Sequence, residues 1–598
     1  MRLRDLWPAM ALVAAFLFAS NGKTLELAAQ RTAGTGSRTK AIVGGTLIDG
    51  TGRAALPDAV IVIRDARIVS ITSGSNAALP ADAEVISVRG KFIVPGLIDG
   101  HSHYRSWVGE LDLNHGVTSV IDVGNPAEWM LALREGIAKG KITRLPRIYS
   151  AGNALSARTD GATSAILLSR PSTDNLEVGN AQEARRVVIR QLDVDKFDFV
   201  SIFSKGFTPD MLQAVIEEAH KRGKHVFGHV DEGVLDFIRA GGDAVTHLSG
   251  SAPALLSPAN LELQKKHDLP TAFARMEPAK VDEFVSLMVS HHVYLTPELV
   301  YEQAAVTDRV AEFRDQAGQL LANSDLQQSL PPDVPLGMLS MFERVRSYGW
   351  RFGFFSYKDS IQPADLEEFR VGYRNAQTLV RKFVQAGGKL EVGTDASGGL
   401  EIPGLNVLQE MELLVDAGLT PMQALQSATS IPAEAIGVSD QVGTVQPGRF
   451  ADIVVLDANP LEKIDNIHKI SMVFQSGERI EPGYHWNYAL PIPDPNLTMD
   501  TKMVGFNDSP KIFELTPKMV TEGDESAAVK VSGIGFMARS QVLFNGVQVP
   551  TRFESDRSLS VEIPASLLVK AGTGWVQVIN PPPGGGRSSP EGFIVKFR

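Results

Sequence analysis

The chain contains no cysteine in its 598 residues. Disulfides and thiolate metal sites are therefore excluded, and stability has to come from buried apolar cores. Any transition metal must be held by histidine, carboxylate or modified lysine. Long apolar runs are lacking too. Beyond the N-terminus no stretch reaches the roughly 20 apolar residues needed to span a bilayer. Nor is there an excess of positive charge. The formal net charge is −11, from 58 Lys and Arg against 69 Asp and Glu, which argues against nucleic acid as a partner.

What is there begins with an export signal. Arg2 and Arg4 precede an apolar stretch from Pro8 to Ser20, a pattern of charged n-region and short h-region. Residues 1–29 are expected to be this signal, and the protein to be exported, periplasmic or secreted. From Lys40 to Val94 short alternating strands are separated by Gly, Asp and Pro turns. From Gly96 to about Ala435 apolar strands alternate with amphipathic helices. Pro209 to Arg222 reads as a helix capped by Thr208, between strands ending at Phe203 and His229. Strand, helix and strand in close succession imply parallel pairing. At this length the pattern fits an α/β fold of the (β/α)8 TIM-barrel type.

Short strands return at Gly443 to Asp457. The two flanks, 40–95 and 440–482, are expected to build one small composite β-sandwich beside a barrel at 96–439. Residues 483–509 are rich in Pro and Asn and read as a linker. From 510 to 598 the pattern is all-β, and Asn545-Gly546 between apolar strands marks a hairpin. Leu336 to Tyr357, rich in aromatics and Met, reads as a packed helical excursion in an insertion-rich stretch, with a substrate-covering lid as the alternative.

The chemistry starts at Val94-Pro-Gly-Leu-Ile-Asp-Gly-His-Ser-His-Tyr104. His101 and His103, one residue apart at a strand end, share a strand face. Two imidazoles on one face are half of a metal site. Barrels carry their chemistry at the C-terminal ends of strands, and three more candidates sit there: His229, His247 and Asp395. His225 and Glu391 share faces with His229 and Asp395 but lie about 13 Å lower along extended strands, so core packing is expected for His225 and a satisfied interior polar role for Glu391. His220 closes a helix, where its charge suits the dipole. His115, His291 and His292 have no motif. Tyr104 and Tyr294 are candidates either for the pocket border or for the core.

At this point the chain resembles the amidohydrolase superfamily, in its prolidase- and imidazolonepropionase-like branch. The resemblance runs from about Ala41 to Ile480. It rests on Leu47-Ile-Asp-Gly-Thr-Gly52, Pro95 to His103, Ala219-His-Lys-Arg-Gly223, Gly393-Thr-Asp395, Ala417 to Leu425 and Gly443 to Leu456. It implies that His101, His103, His229, His247 and Asp395 are metal ligands, with Asp395 also taking a proton from the nucleophilic water. One position departs. The lysine whose carbamate bridges two metals in binuclear members is replaced by Ser201, in Asp198-Phe-Val-Ser-Ile202, and Lys205 lies four residues on. The expectation is therefore one tightly held divalent metal, zinc first, on His101, His103, His229 and Asp395. His247 would then polarise the substrate or hold a weaker second metal.

The region 510–598 resembles an IPT/TIG domain, an immunoglobulin-like β-sandwich, on Pro510 to Pro517, Val531 to Phe536, Val542 to Gly546 and Asn580 to Gly586. That resemblance implies a binding or spacer module for a surface or protein ligand, without chemistry of its own. The expected activity is hydrolysis of a C–N bond in a small peptide-like or cyclic amide, with metal-activated water and with Asp395 and His247 as the catalytic pair. Two other readings stand beside it: a deaminase on the same site, and a degenerate, non-catalytic barrel that binds through its C-terminal module.

Overall fold

The computed structural model describes residues 39–74, 78–158, 175–230, 233–261, 269–302, 307–330, 363–396, 402–485, 510–580 and 586–598. The expected export signal, Leu336 to Tyr357 and most of the expected linker lie outside them.

The two flanks combine through direct strand pairing. Phe92–Pro95 runs antiparallel to Ile453–Leu456, with Val94 opposite Val454. On one side the ladder continues through Ile470–Gln475 and Glu478–Arg479, on the other through Thr39–Leu47, Leu56–Arg64 and Arg67–Ser73. Ile42, Ile61, Ile63, Ile93, Ile453 and Phe474 share its core. The strands expected to build the composite β-sandwich belong to one eight-stranded, hydrogen-bonded sheet that forks at Thr39–Leu47. Its first half pairs with Glu84–Ser87 and its second half with Phe92–Pro95. The register breaks between Val43 and Gly45, where Gly44 takes a φ of 87° that only glycine adopts freely.

The middle of the chain forms parallel ladders. One sheet holds Leu97–Ser102, Val117–Asp122 and Arg147–Ser150. The other runs Asn175–Val178, Ala154–Ala157, Val200–Phe203, Val226–His229, Ala244–Thr246 and Tyr294–Thr296. Leu97–Ser102 and Val117–Asp122 are buried along their whole length, as strands covered on both faces must be. The helix Pro209–His220 is capped by Thr208, whose side chain accepts the Met211 N–H, and it buries Leu212, Val215 and Ile216.

Among the described residues these ladders form two sheets rather than one closed ring. The segment from Leu390 to Asp395 lies between the first and last strands but joins them through isolated bridges, Leu295 to Leu390 and Ser102 to Ala396. Single hydrogen bonds support it: Glu391 N to Leu295 O at 2.9 Å, Gly100 N to Val392 O at 2.7 Å and Thr394 N to His101 O at 3.1 Å. Crowding interrupts a regular ladder here. A Cβ on Gly393 would lie 2.4 Å from Thr296 Cγ2 and 2.8 Å from His101 Cβ, so glycine lets three segments close on one point.

The C-terminal region is all-β, as the turn spacing predicts. One sheet orders Lys511–Thr516, Ser526–Ile534, Ser558–Pro564 and Thr551–Ser555; a second centres on Gly572–Asn580. Leu515, Val531, Phe544, Leu559, Val576 and Phe593 fill a common core. The Asn545-Gly546 turn joins Gln541–Phe544 to Val547–Val549 with φ of 48° and 78°, the two left-handed residues of a type I′ hairpin. No described helix is long and apolar enough to cross a membrane.

Candidate metal centre

The strand Leu97–Ser102 ends in the His-Ser-His motif, and its two imidazoles converge as period-two alternation requires, with ring centroids 5.7 Å apart. His101 is 1% exposed, whereas the His103 side chain retains 21%. The site therefore opens on the His103 side. His103 Nδ1 lies 3.1 Å from the Gly124 carbonyl, which leaves Nε2 facing Asp395 Oδ1 at 3.2 Å. His101 Nε2 lies 3.6 Å from the same oxygen.

His247 follows the strand Ala244–Thr246, and its ring sits 4.9 Å from that of His101. Donor atoms of His101, His247 and Asp395 all lie within 4.8 Å of one another. His229, ending Val226–His229, meets the group through His247, with ring centroids 4.4 Å apart, and its other face packs on Phe203. All five predicted residues thus gather at one place. The tightest donor set, however, contains His247, which the sequence ranks behind His229.

The reason is a residue the sequence reading passed over. Glu298 is fully buried. Its Oε1 lies 2.6 Å from His101 Nδ1 and its Oε2 2.6 Å from His247 Nδ1. Each oxygen thus sits at hydrogen-bonding distance from one imidazole nitrogen. The carboxylate draws the two rings together from behind. Glu298 comes just after the strand Tyr294–Thr296, so the strand-end rule that selects His229, His247 and Asp395 would also have selected it. His247, Glu298 and Asp395 have φ of 63°, 52° and 54°. Non-glycine residues rarely adopt this left-handed backbone, and it clusters at functional sites.

The electrostatics follow from burial opposed by pairing. Burial pulls His101 down, but the Glu298 carboxylate outweighs it and lifts the imidazole to about 9. Burial also works against ionising Asp395, yet its bond to His103 and the neighbouring imidazoles hold it well below the usual carboxylate range. His247 is lowered, chiefly by burial. Behind the motif, Asp99 accepts the Thr394 hydroxyl at 2.6 Å and the His101 N–H at 3.2 Å. It thereby ties the first strand to the last segment. Asp122 accepts the Tyr104 N–H at 3.0 Å and the Ser150 hydroxyl at 2.8 Å, which fixes the turn after His103.

Several imidazole nitrogens and one ionised carboxylate in a buried pocket form an N/O donor set that fits a divalent transition metal. No lysine joins it among the described residues. Ser201 is buried in its strand, and Lys205 is exposed. The remaining sequence candidates lie elsewhere. His225 Nδ1 contacts the Ala435 carbonyl, and His220 meets Asp243 at 2.8 Å. His291 and His292 are exposed. Tyr104 packs against Trp129 in the core, and Tyr294 is buried.

The family model described as the amidohydrolase family matches residues 92–480. Imidazolonepropionase from Deinococcus deserti is 24% identical over 438 residues, covering 71% of this chain and 92% of that protein. Adenine deaminase from Rubrobacter xylanophilus is 34% identical, but over 99 residues only, 16% of each chain. Among solved structures, a Xaa-Pro dipeptidase is 21% identical, with a TM-score of 0.50 over 74% of this chain and all of that one. Phenylurea hydrolase B is 19% identical, with a TM-score of 0.53 over 74% of this chain and 97% of that one. These neighbours imply a TIM barrel for the parallel-strand region. The chain belongs to the amidohydrolase family, metal-dependent hydrolases that act on carbon–nitrogen bonds.

Proposed function

We propose an exported amidohydrolase that cleaves a peptide-like or cyclic amide with one tightly bound divalent metal, zinc in the first place. The observation that carries this reading is the position of Asp395, whose Oδ1 lies within 3.6 Å of the Nε2 atoms of both His101 and His103. His101, His103, His229, His247 and Asp395 would hold the metal. A divalent cation there supplies Lewis acidity to the substrate carbonyl and to the attacking water. Asp395 stays ionised, so it can accept the proton of that water and later return it to the leaving nitrogen. His247, beside His101, completes the pair of groups acting on the substrate. The substrate enters from the His103 side, where the site is open.

Deamination on the same site is the second reading, favoured by the short adenine deaminase matches. A glutamate beside the sixth strand would support it by protonating a ring nitrogen. Glu298 contacts His247, but both its oxygens are engaged by Nδ1 atoms on the ligand rings. That favours amide hydrolysis. The two C-terminal sheets around one core support the immunoglobulin-like, IPT/TIG-type module, which would hold a surface or protein ligand. Arg2, Arg4 and the apolar stretch after them support export.

A panel of dipeptides, lactams, cyclic imides and aminopurines tests the assignment. Release of an amine or amino acid, or ring opening, is expected. Release of ammonia from the aminopurines alone would favour the deaminase. No turnover together with no bound metal would favour the non-catalytic scaffold.

A further inference from the structure

Among the described residues, Glu298 is the one carboxylate that touches two of the candidate ligand rings at Nδ1, the side away from the site. We infer that Glu298 is a positioning residue, holding the protons of His101 and His247 on Nδ1 so that both Nε2 atoms face the metal. The inference rests on the metal reading above and adds the residue that arranges its ligands.

The geometry is specific. Each carboxylate oxygen takes one Nδ1, both at 2.6 Å. In an imidazole the two nitrogens lie on opposite flanks of the ring, so a group at Nδ1 leaves Nε2 free to point the other way. For His101 that direction is observed, because Nε2 faces Asp395. A neutral imidazole carries one proton, and the hydrogen bond at one nitrogen decides which nitrogen can bind metal. A carboxylate can accept from both rings at once.

The carboxylate is itself held in place. Glu298 has a left-handed φ of 52°. The next two backbone N–H groups, of Leu299 and Val300, donate to Glu410 at 3.0 and 2.7 Å. Glu410 is fully buried in the helix Leu405–Asp416. A helix on the outside of the strands therefore fixes the turn that aims Glu298. The anion stands on the Nδ1 side of both rings, and among the described residues Ser201 takes the strand position where a bridging lysine would stand. Both features suit a one-metal centre.

Glu298→Gln is the informative variant because it keeps the shape and loses one acceptor. Its amide oxygen accepts from one Nδ1–H, while its NH2 faces the other Nδ1 and drives that ring's proton to Nε2. Zinc affinity, measured by competition with a chromophoric chelator, is expected to fall about 10- to 100-fold, as for other outer partners of metal ligands. Thermal unfolding of the metal-free proteins checks that the variant folds. Nitrogen-15 spectra of the histidine rings read the mechanism directly. At a pH high enough to leave both rings neutral, the metal-free wild type should carry its His101 and His247 protons on Nδ1, and in the variant one of the two should sit on Nε2. Unchanged zinc affinity in a folded variant, or Nε2 protons on either ring of the wild type, overturns the inference. A wild type that takes up no zinc would defeat the metal reading instead, and the ring spectra would still decide the role of Glu298. If the variant does not fold, the wild-type spectra alone decide it.

Discussion

Asp395 and His103 meet at 3.2 Å between Oδ1 and Nε2, although they come from opposite ends of the parallel-strand region. The contact helps keep the carboxyl ionised despite its burial. An ionised carboxylate beside imidazole nitrogens is a proton acceptor already in its working state. Asp395→Asn removes that acceptor and keeps the shape. Its kcat is expected to fall by about 10²- to 10⁴-fold, the usual weight of general acid–base catalysis. Steady-state kinetics on whichever amide the wild type cleaves will check it. A loss under tenfold would remove Asp395 from the proton path.

Glu391 lies four residues before Asp395 and has the opposite character. It is fully buried, and neither oxygen has a hydrogen-bond partner among the described residues. Burial raises its carboxyl well above the ordinary range, so it stays protonated when folded. The unfolded chain loses that proton above the ordinary carboxylate pKa of about 4.3. From there upward the folded state binds more protons, so this group's contribution to stability falls as pH rises. Glu391→Gln removes that penalty and keeps the size. Relative to wild type, the variant should gain stability steadily between pH 5 and pH 8 and retain activity. Denaturant unfolding across that range is the check, and a pH-independent difference would contradict it.

These two acids show what the sequence could and could not convey. Strand parity places Asp395 at the site and Glu391 beneath it, and both positions follow from local pattern alone. The His-Ser-His pair, His229 and His247 are legible for the same reason, since strand ends carry the chemistry. Glu298 obeys the same rule. Its meaning, however, depends on reaching two rings from distant strands, a tertiary relationship with no local signature. The forked sheet is hidden in a similar way. Alternation identifies the strands on both flanks, but the pairing of Phe92–Pro95 with Ile453–Leu456 decides that they share one sheet. The hairpin at Asn545-Gly546 was readable because its geometry is set by two residues.

Acid sensitivity is expected from His115. Its Nδ1 lies 2.8 Å from the Leu111 carbonyl, and burial, with the nearby His468 adding to it, lowers the ring to about 4. Because the folded value lies below the unfolded value of about 6.5, the unfolded chain takes up the proton first as pH falls. The contribution is fully present above pH 6.5 and lost between there and pH 4, up to about 3 kcal/mol. His115→Gln should flatten the slope of stability against pH in that window. An unchanged slope, measured by denaturant titration, would assign the acid sensitivity to other groups.

The most direct test of the account is the metal content of the purified protein compared with His101→Ala. His101 shares the tightest donor set with His247 and Asp395 and is drawn from behind by Glu298. The wild type should carry about one equivalent of divalent metal per chain, the expectation for a site that fills one set of N/O donors. The variant, once dialysed, should carry almost none. Equal metal content in the two proteins, or none in the wild type, would contradict a metal-dependent hydrolase built on these residues.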